Sequence, residues 1–263
     1  MSRNITASII IPTLDRSECL RDCLESLWAQ TFQDFEIIKV TEVGPLAKLR
    51  NEGAKRSKGK YLVFIDDDTF CRSGWLQEIV RVFEGDRTIA GVTGPCPILG
   101  QFRRNRDIIK WPWKWLYDFF FCYGRNHLPG HITKAGAWTT GATEDNCTYE
   151  GEVQFLEACN MAYRTDIFNK VGGFDERYEG IGDWSEPDLS FRIRELGYKL
   201  WFSRDAVLEH RPSKSGAFKK RDKQAPIRLK NYELFSKRWV NPCWQHTVYK
   251  GFIRFYYALK TVK

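Results

Sequence analysis

Hydrophobic positions fall into short runs separated by stretches with helical spacing. Ala7–Ile11, Phe35–Val40, Tyr61–Ile65 and Ile89–Thr93 are largely apolar and β-branched or aromatic, as strands buried on both faces are. Between the first two, Leu20, Cys23, Leu24, Leu27 and Trp28 recur at helical spacing, with Asp15 and Glu18 placed like a capping box. Gly44-Pro45 punctuates a loop before a short basic helix over Leu46–Ser57. Gly74–Phe83 is amphipathic, with Leu76, Ile79, Val80 and Phe83 on one side. Strands alternating with helices predict a mainly parallel α/β sheet with helices on its faces.

The periodicity fails from Gln101 to Tyr149. Arg103, Arg104, Arg106, Lys110 and Lys114 interleave there with Trp111, Trp113, Trp115 and Tyr117, and Phe119, Phe120, Phe121 and Tyr123 follow. Two readings stand level: aromatics packed on the domain, or a flap facing an acceptor or a membrane, where Trp and Tyr suit half-wet surfaces. His127 and His131 have metal-ligand spacing, but Pro129 and Gly130 between them argue against a zinc-binding helix. Regular pattern returns at Phe155, with short helices expected over Arg164–Val171 and Pro187–Leu196. Strands are expected over Tyr198–Ser203 and Ala206–His210.

Charge divides the chain. Residues 211–263 hold fourteen Lys or Arg against two acids, a net +12. Residues 1–210 hold 27 basic and 31 acidic groups, a net −4. The expected organisation is a domain over 1–210, an aromatic-rich flap or insertion at 101–150 within it, and a basic aromatic extension over 211–263. The plainer reading of the extension is one or two helices covering the domain. Its other reading is a contact with an anionic surface, membrane or nucleic acid. The eight cysteines are scattered with no Cys-x-x-Cys pair. No run of eighteen apolar residues and no signal-peptide pattern is present. These features together predict a reduced, cytoplasmic protein, its tail suited to the inner face of a membrane.

The candidate chemistry begins at Tyr61–Phe70, where the apolar run delivers Asp66, Asp67 and Asp68 in succession. Ligands of open α/β sheets bind beyond the carboxyl ends of the strands. Three carboxylates there repel one another unless something positive sits among them. Hard divalent cations take oxygen ligands and leave positions open for phosphate. The residues therefore point to a phosphate or diphosphate site assisted by Mg²⁺ or Mn²⁺, against the alternative of a solvated acidic turn.

Five segments, in order, resemble the family 2 inverting glycosyltransferases of GT-A fold. They are SIIIPTLDRSECLRDCLESLWAQ, FIDDD, EACNMAYRTDIFNKVGGFDERY, WSEPDLSFRIRELGYKLWF and VLEHRPSKS, spanning roughly residues 7–215. The resemblance implies a GT-A sheet and transfer of a sugar from a nucleotide diphosphate donor to a hydroxyl of a saccharide or lipid-linked acceptor. It sets Asp68 on the metal, Asp66 on the metal or donor ribose, Asp67 as a supporting carboxylate, and His210 as a further metal ligand. Pro12, Thr13 and Asp15 would meet the nucleotide, as would Arg50 and Asn51 of the LRNEG segment. Asn160 and Trp184 fall on the acceptor side. Glu186 aligns with the catalytic carboxylate, with Asp188 its near neighbour, although Asp is more usual at the Glu186 position.

The chain departs from the family after the second strand. An Asp-Asp-Gly-Ser segment that reads the base is missing, and Glu42 is the one acid available there. Arg238-Trp239 follows Phe235 where processive synthases carry Gln, which points to single addition. Glu186 stands just before Pro187, where a helix N-terminus would favour its ionised form. Two alternatives have other features behind them. A nucleotidyltransferase would want a Gly-rich phosphate loop that PTLDRSE does not supply. A nucleic-acid-binding module would use the basic aromatic tail, but the acidic clusters of the main domain argue against it.

Overall fold

A computed structural model of the protein describes residues 5–14, 17–98, 113–144, 147–212 and 222–261. The chain opens as β1 (Ala7–Pro12), α1 (Ser17–Trp28), β2 (Phe35–Val40), α2 (Leu46–Arg56) and β3 (Tyr61–Ile65). Next come β4 (Thr69–Cys71), α3 (Trp75–Gly85), β5 (Ile89–Thr93) and a short α4 (Trp113–Tyr117). The second half holds β6 (Gly151–Val153), β7 (Asn160–Arg164), α5 (Thr165–Lys170), α6 (Ser185–Glu195), β8 (Lys199–Phe202) and β9 (Leu208–His210). Two longer helices follow, α7 (Ala225–Trp239) and α8 (Trp244–Thr261).

The main sheet has the order β2-β1-β3-β7-β5-β8-β6. β1 pairs in parallel with β2 and β3, and β5 with β8, while β7 and β6 run against their neighbours. Five of the seven strands thus point one way, as the alternating pattern predicts. The intrusion of β7 between β3 and β5 was not legible, because NMAYR has neither strict alternation nor an unbroken apolar run.

Period-2 alternation sends side chains to two separate cores. Ile9 and Ile11 of β1 join Tyr61, Val63 and Ile65 of β3 beneath α1 and α3. Ile10, Leu62 and Phe64 face the other way, onto α2, α5 and α6. A two-stranded sheet, β4 with β9, stands beyond the main one with Thr69 opposite His210.

A third apolar cluster lies outside both layers. Tyr117 and Phe121 of α4 and the turn after it meet Tyr178, Trp184, Tyr232 and Phe235 of α7, and Tyr249 of α8. The tail therefore covers the domain with two helices, which is the plainer of its two expected roles. Pro226 sits in the first turn of α7, and Pro242 separates the helices. Of the flap aromatics, Tyr117 and Phe121 are buried, while Trp115, Phe119, Phe120 and Tyr123 are exposed. The basic residues 103–110 and 219–221 and Trp111 lie outside the described residues, as does Asp15 with its capping box. None of the eight cysteines, all among the described residues, forms a disulfide. No helix among the described residues is long and apolar enough to cross a membrane.

Candidate active site

Pro12 and Asp66 lie at or just past the ends of β1 and β3, which are adjacent and parallel. The next two residues tie this edge together. Thr13 donates its backbone N–H to Val40 at the end of β2, at 2.9 Å. Its hydroxyl donates to Asp67 Oδ2 at 2.6 Å, with both groups buried. Asp67 therefore braces the strand ends.

The small sheet positions the rest of the acidic site. Asp68 immediately precedes β4, and His210 closes β9 opposite Thr69. Arg211 N–H donates to the Asp68 carbonyl at 2.8 Å, fixing the crossing. His210 Nε2 then lies 3.3 Å from Asp68 Oδ1. One ligand atom each from Asp66, Asp68 and His210 falls within 4.8 Å of the others. Two carboxylates and an imidazole fit a small divalent cation, and the nitrogen suits Mn²⁺ better than Mg²⁺. Burial pushes the Asp66 carboxyl up to about 6, against the pull of Arg50. Burial opposes the charge on His210, but the bond to Asp68 and the other nearby anionic groups prevail and carry it up to about 9. These protons are ones that a bound cation would displace.

Arg50 joins this cluster to α6. Its side chain is 1% exposed, with Nη1 2.5 Å from Glu186 Oε1 and Nη2 3.9 Å from Asp66 Oδ1. Nη2 also donates to the Ala158 carbonyl at 3.1 Å, and Phe174 presents its ring 5.4 Å from the guanidinium carbon. Glu186 sits in the first turn of α6 and is buried. Position at a helix start was expected to hold its carboxyl low. Burial instead raises it, with Arg50 opposing. Desolvation outweighs the helix end here because the carboxylate faces protein rather than water.

The helix carrying Glu186 is entered through a left-handed residue, Trp184 at φ 77°. A bulky side chain rarely adopts that conformation, and surrounding packing must enforce it. Trp184 stacks on Trp138 at 4.6 Å and touches Tyr232 and Phe235 of α7. The flap and the tail thus grip the residue two positions before Glu186.

Three expected site residues have other work. Asp188 is 1% exposed and accepts from Arg192 at 2.8 Å, Trp239 Nε1 at 2.8 Å and Arg238 at 3.3 Å. It anchors α7 to α6, a structural role beside the catalytic one expected of it as the near neighbour of Glu186. Asn51 donates to the Phe174 carbonyl and Glu176 and accepts from Phe174 N–H. Its amide clasps the Gly173–Glu176 turn, on a different side of α2 from Arg50 because successive helix positions diverge by about 100°. A side chain at Gly173, φ 69°, would come within 2.7 Å of Asn51 Oδ1. Asn160 is fully buried, accepting from Trp75 Nε1 at 2.9 Å and donating to the Ala206 carbonyl at 2.9 Å, so its amide ties β7 to α3 and to the segment before β9.

Glu42 is exposed in the loop after β2 and pairs with Arg56. His127 and His131 each turn a ring nitrogen to a carbonyl of their own loop, Gly124 and Pro129. Sequence reasoning missed the role of Trp138 and the Arg238-Trp239 anchor. The i, i+4 spacing of Asp188 and Arg192 was the one visible signal that Asp188 had a partner.

Residues 44–172 match the profile described as Glycosyl transferase family 2. The chain is 27% identical over 244 residues to the O-antigen biosynthesis protein RfbC of Myxococcus xanthus, covering 79% of itself but spanning only 17% of that protein. It is 20% identical over 237 residues to the glucosyl-dolichyl phosphate glucuronosyltransferase of Haloferax volcanii, covering 78% of itself and 68% of that protein. Two solved structures share its fold. The mannosyltransferase PcManGT from Pyrobaculum calidifontis, in complex with GDP-Man and Mn²⁺, aligns with a TM-score of 0.59 at 14% identity, over 98% of this chain and 72% of that one. GalNAc-T7 with UDP, GalNAc and Mn²⁺ aligns with a TM-score of 0.62 at 15% identity, over 100% of this chain and 52% of that one.

Proposed function

Because the chain is a family 2 glycosyltransferase with a GT-A fold, we propose that it moves a sugar from a nucleotide diphosphate-sugar to an acceptor hydroxyl with inversion at the anomeric carbon. The observation that carries this reading is the Arg50 bridge between an acidic metal-type cluster and a separate buried carboxylate. Two solved neighbours holding a nucleotide or nucleotide-sugar with Mn²⁺ support the donor class and the cation. The names of two relatives, one for O-antigen and one for a dolichyl-phosphate-linked sugar, support a saccharide or lipid-linked acceptor.

Asp66, Asp68 and His210 would hold the divalent cation. When bound, it supplies Lewis-acid stabilisation of the diphosphate charge that grows as the anomeric bond breaks. Glu186 takes the proton from the acceptor hydroxyl as its oxygen attacks. Arg50 keeps Glu186 oriented and lowers the cost of its charge in a buried setting. Asp67, with Thr13, holds the strand ends that carry the donor side.

Glu186→Gln keeps the side chain's shape and removes the proton acceptor. Turnover is expected to fall ~10²–10⁴-fold, with Mn²⁺-dependent binding of the donor retained. A screen of nucleotide sugars by thermal stabilisation, with and without Mn²⁺, identifies the donor for that assay. A Glu186→Gln enzyme within about tenfold of wild type, below the range for general-base loss, would remove Glu186 from the mechanism.

A further inference from the structure

α7 and α8 flank a cleft of about 390 Å³ whose lining includes none of Asp66, Asp68, His210, Arg50 and Glu186. That volume lies in the ~300–1,000 Å³ range of small-ligand sites. Lys237, Lys250 and Arg254 line it together with Ser236, His246 and Glu233. Three cations face one carboxylate, and that carboxylate is already bonded by Arg254. Neither Lys237 nor Lys250 has a carboxylate partner among the described residues. The Nε2 of His246 is buried with no hydrogen-bond partner among them. Native proteins rarely leave such atoms unsatisfied without an ion or water to meet them.

We propose that the α7–α8 cleft is a binding site for a phosphate group, separate from the donor site. Lysine ammonium groups and an imidazole N–H are the donors a phosphate takes, and Ser236 adds a hydroxyl at the cleft wall. Helix periodicity explains why the groups converge. His246, Lys250 and Arg254 recur every four residues and so form one row on α8 facing α7.

A second row on the same helix bears on the source of the phosphate. Trp244, Val248 and Phe255 are 72%, 53% and 63% exposed, and they point away from the buried Tyr249 and Ile253. Exposed aromatic and aliphatic side chains on the helix that also carries the basic row are of the kind that a lipid interface takes. The phosphate could therefore belong to a lipid headgroup or to a soluble compound, and the two differ in the test.

The experiment uses the whole protein in EDTA, so that metal-dependent donor binding does not contribute. Inorganic phosphate is titrated calorimetrically, and sedimentation is measured with phosphatidylcholine vesicles with and without phosphatidic acid. The proposal expects one or both phosphate probes to bind. The Lys237→Gln/Lys250→Gln double variant should weaken that binding by roughly tenfold, two charge-assisted contacts being lost. The Lys237→Arg/Lys250→Arg variant should retain it, and both variants should melt with wild-type cooperativity and bind the donor with Mn²⁺ as wild type does. Binding of inorganic phosphate supports a soluble ligand. Binding only to vesicles carrying phosphatidic acid supports a lipid headgroup. Absence of binding to either probe, or binding that the Gln variant leaves unchanged, overturns the site.

Discussion

Arg50 joins the two acidic groups that the proposed transfer would use. It is a buried cation with carboxylates on either side, Glu186 at 2.5 Å and Asp66 at 3.9 Å. Burial raises the Glu186 carboxyl, and Arg50 pulls it back. A general base works ionised, so activity falls as pH drops through its pKa. Removing the cation takes away the larger downward pull, leaving a backbone hydrogen bond to oppose burial. In Arg50→Gln, the acid limb of the kcat/KM profile is therefore expected to move to higher pH. An unmoved limb in a folded variant would mean that the titrating base is another group. The candidate metal site makes a related prediction, which also improves as pH rises. His210 sits at about 9 and Asp66 at about 6, so both carry protons at weakly acidic pH that a cation must release. Mn²⁺ affinity should rise with pH between those values. Calorimetry in buffers of different ionisation enthalpy at pH 7 should register proton release, and Asp68→Ala should abolish the heat. At this scale the sequence carried the run of aspartates, because three adjacent carboxylates after an apolar run need few partners to be understood. It did not carry Asn51, Asn160 or Asp188. Their polar atoms are met by Phe174, Ala206 and Trp239, which are remote in the chain and reach them only through the fold.

Elements were legible where local pattern and tertiary demand agree. The strands at Phe35–Val40, Tyr61–Ile65 and Ile89–Thr93 occupy the residues their apolar runs mark. β4 and β9 are three residues each and exist because they pair with each other, so no window of sequence announces both. Yet that pairing is what brings His210 to Asp68. The join between α6 and α7 was equally hidden. Asp188 accepts from Arg192, Arg238 and Trp239, and each donor would be left partly unsatisfied without the carboxylate. Losing one partner of a buried charge network destabilises by about 3–5 kcal/mol. Asp188→Asn retains one acceptor oxygen, so a smaller loss of about 1–3 kcal/mol is expected, read as a lowered melting temperature. Its turnover, measured well below that temperature, should exceed that of Glu186→Gln. The reverse order of turnover in folded protein would return Asp188 to the role of base.

At the scale of the whole molecule, the division into a domain over 1–210 and an extension after it describes charge better than it describes packing. Tyr178 and Trp184 from the sheet side, Tyr117 and Phe121 from the flap side, and Tyr232, Phe235 and Tyr249 from the two last helices form one buried cluster. Phe121 lies 4.9 Å from Tyr249 and 5.0 Å from Phe252, and Arg228 of α7 pairs with the buried Asp183. Composition could not reveal this, because a basic aromatic segment reads the same whether its rings face a partner or its own domain. Truncation after Pro212 would bare Tyr178 and Trp184 and leave Asp183 and Asp188 without their partners from α7. Each large side chain exposed forfeits about 1.5–3 kcal/mol, and each broken buried pair about 3–5 kcal/mol. Set against a total stability of about 5–15 kcal/mol, the sum leaves no folded margin. The truncated chain is therefore expected to be insoluble or to lack a cooperative melting transition. A soluble product melting within a few degrees of the full chain would show that the third cluster is dispensable. Point substitutions on the exposed faces of α8 are for this reason the sound way to examine its contacts with anionic ligands, since they leave Tyr249 and Ile253 in place.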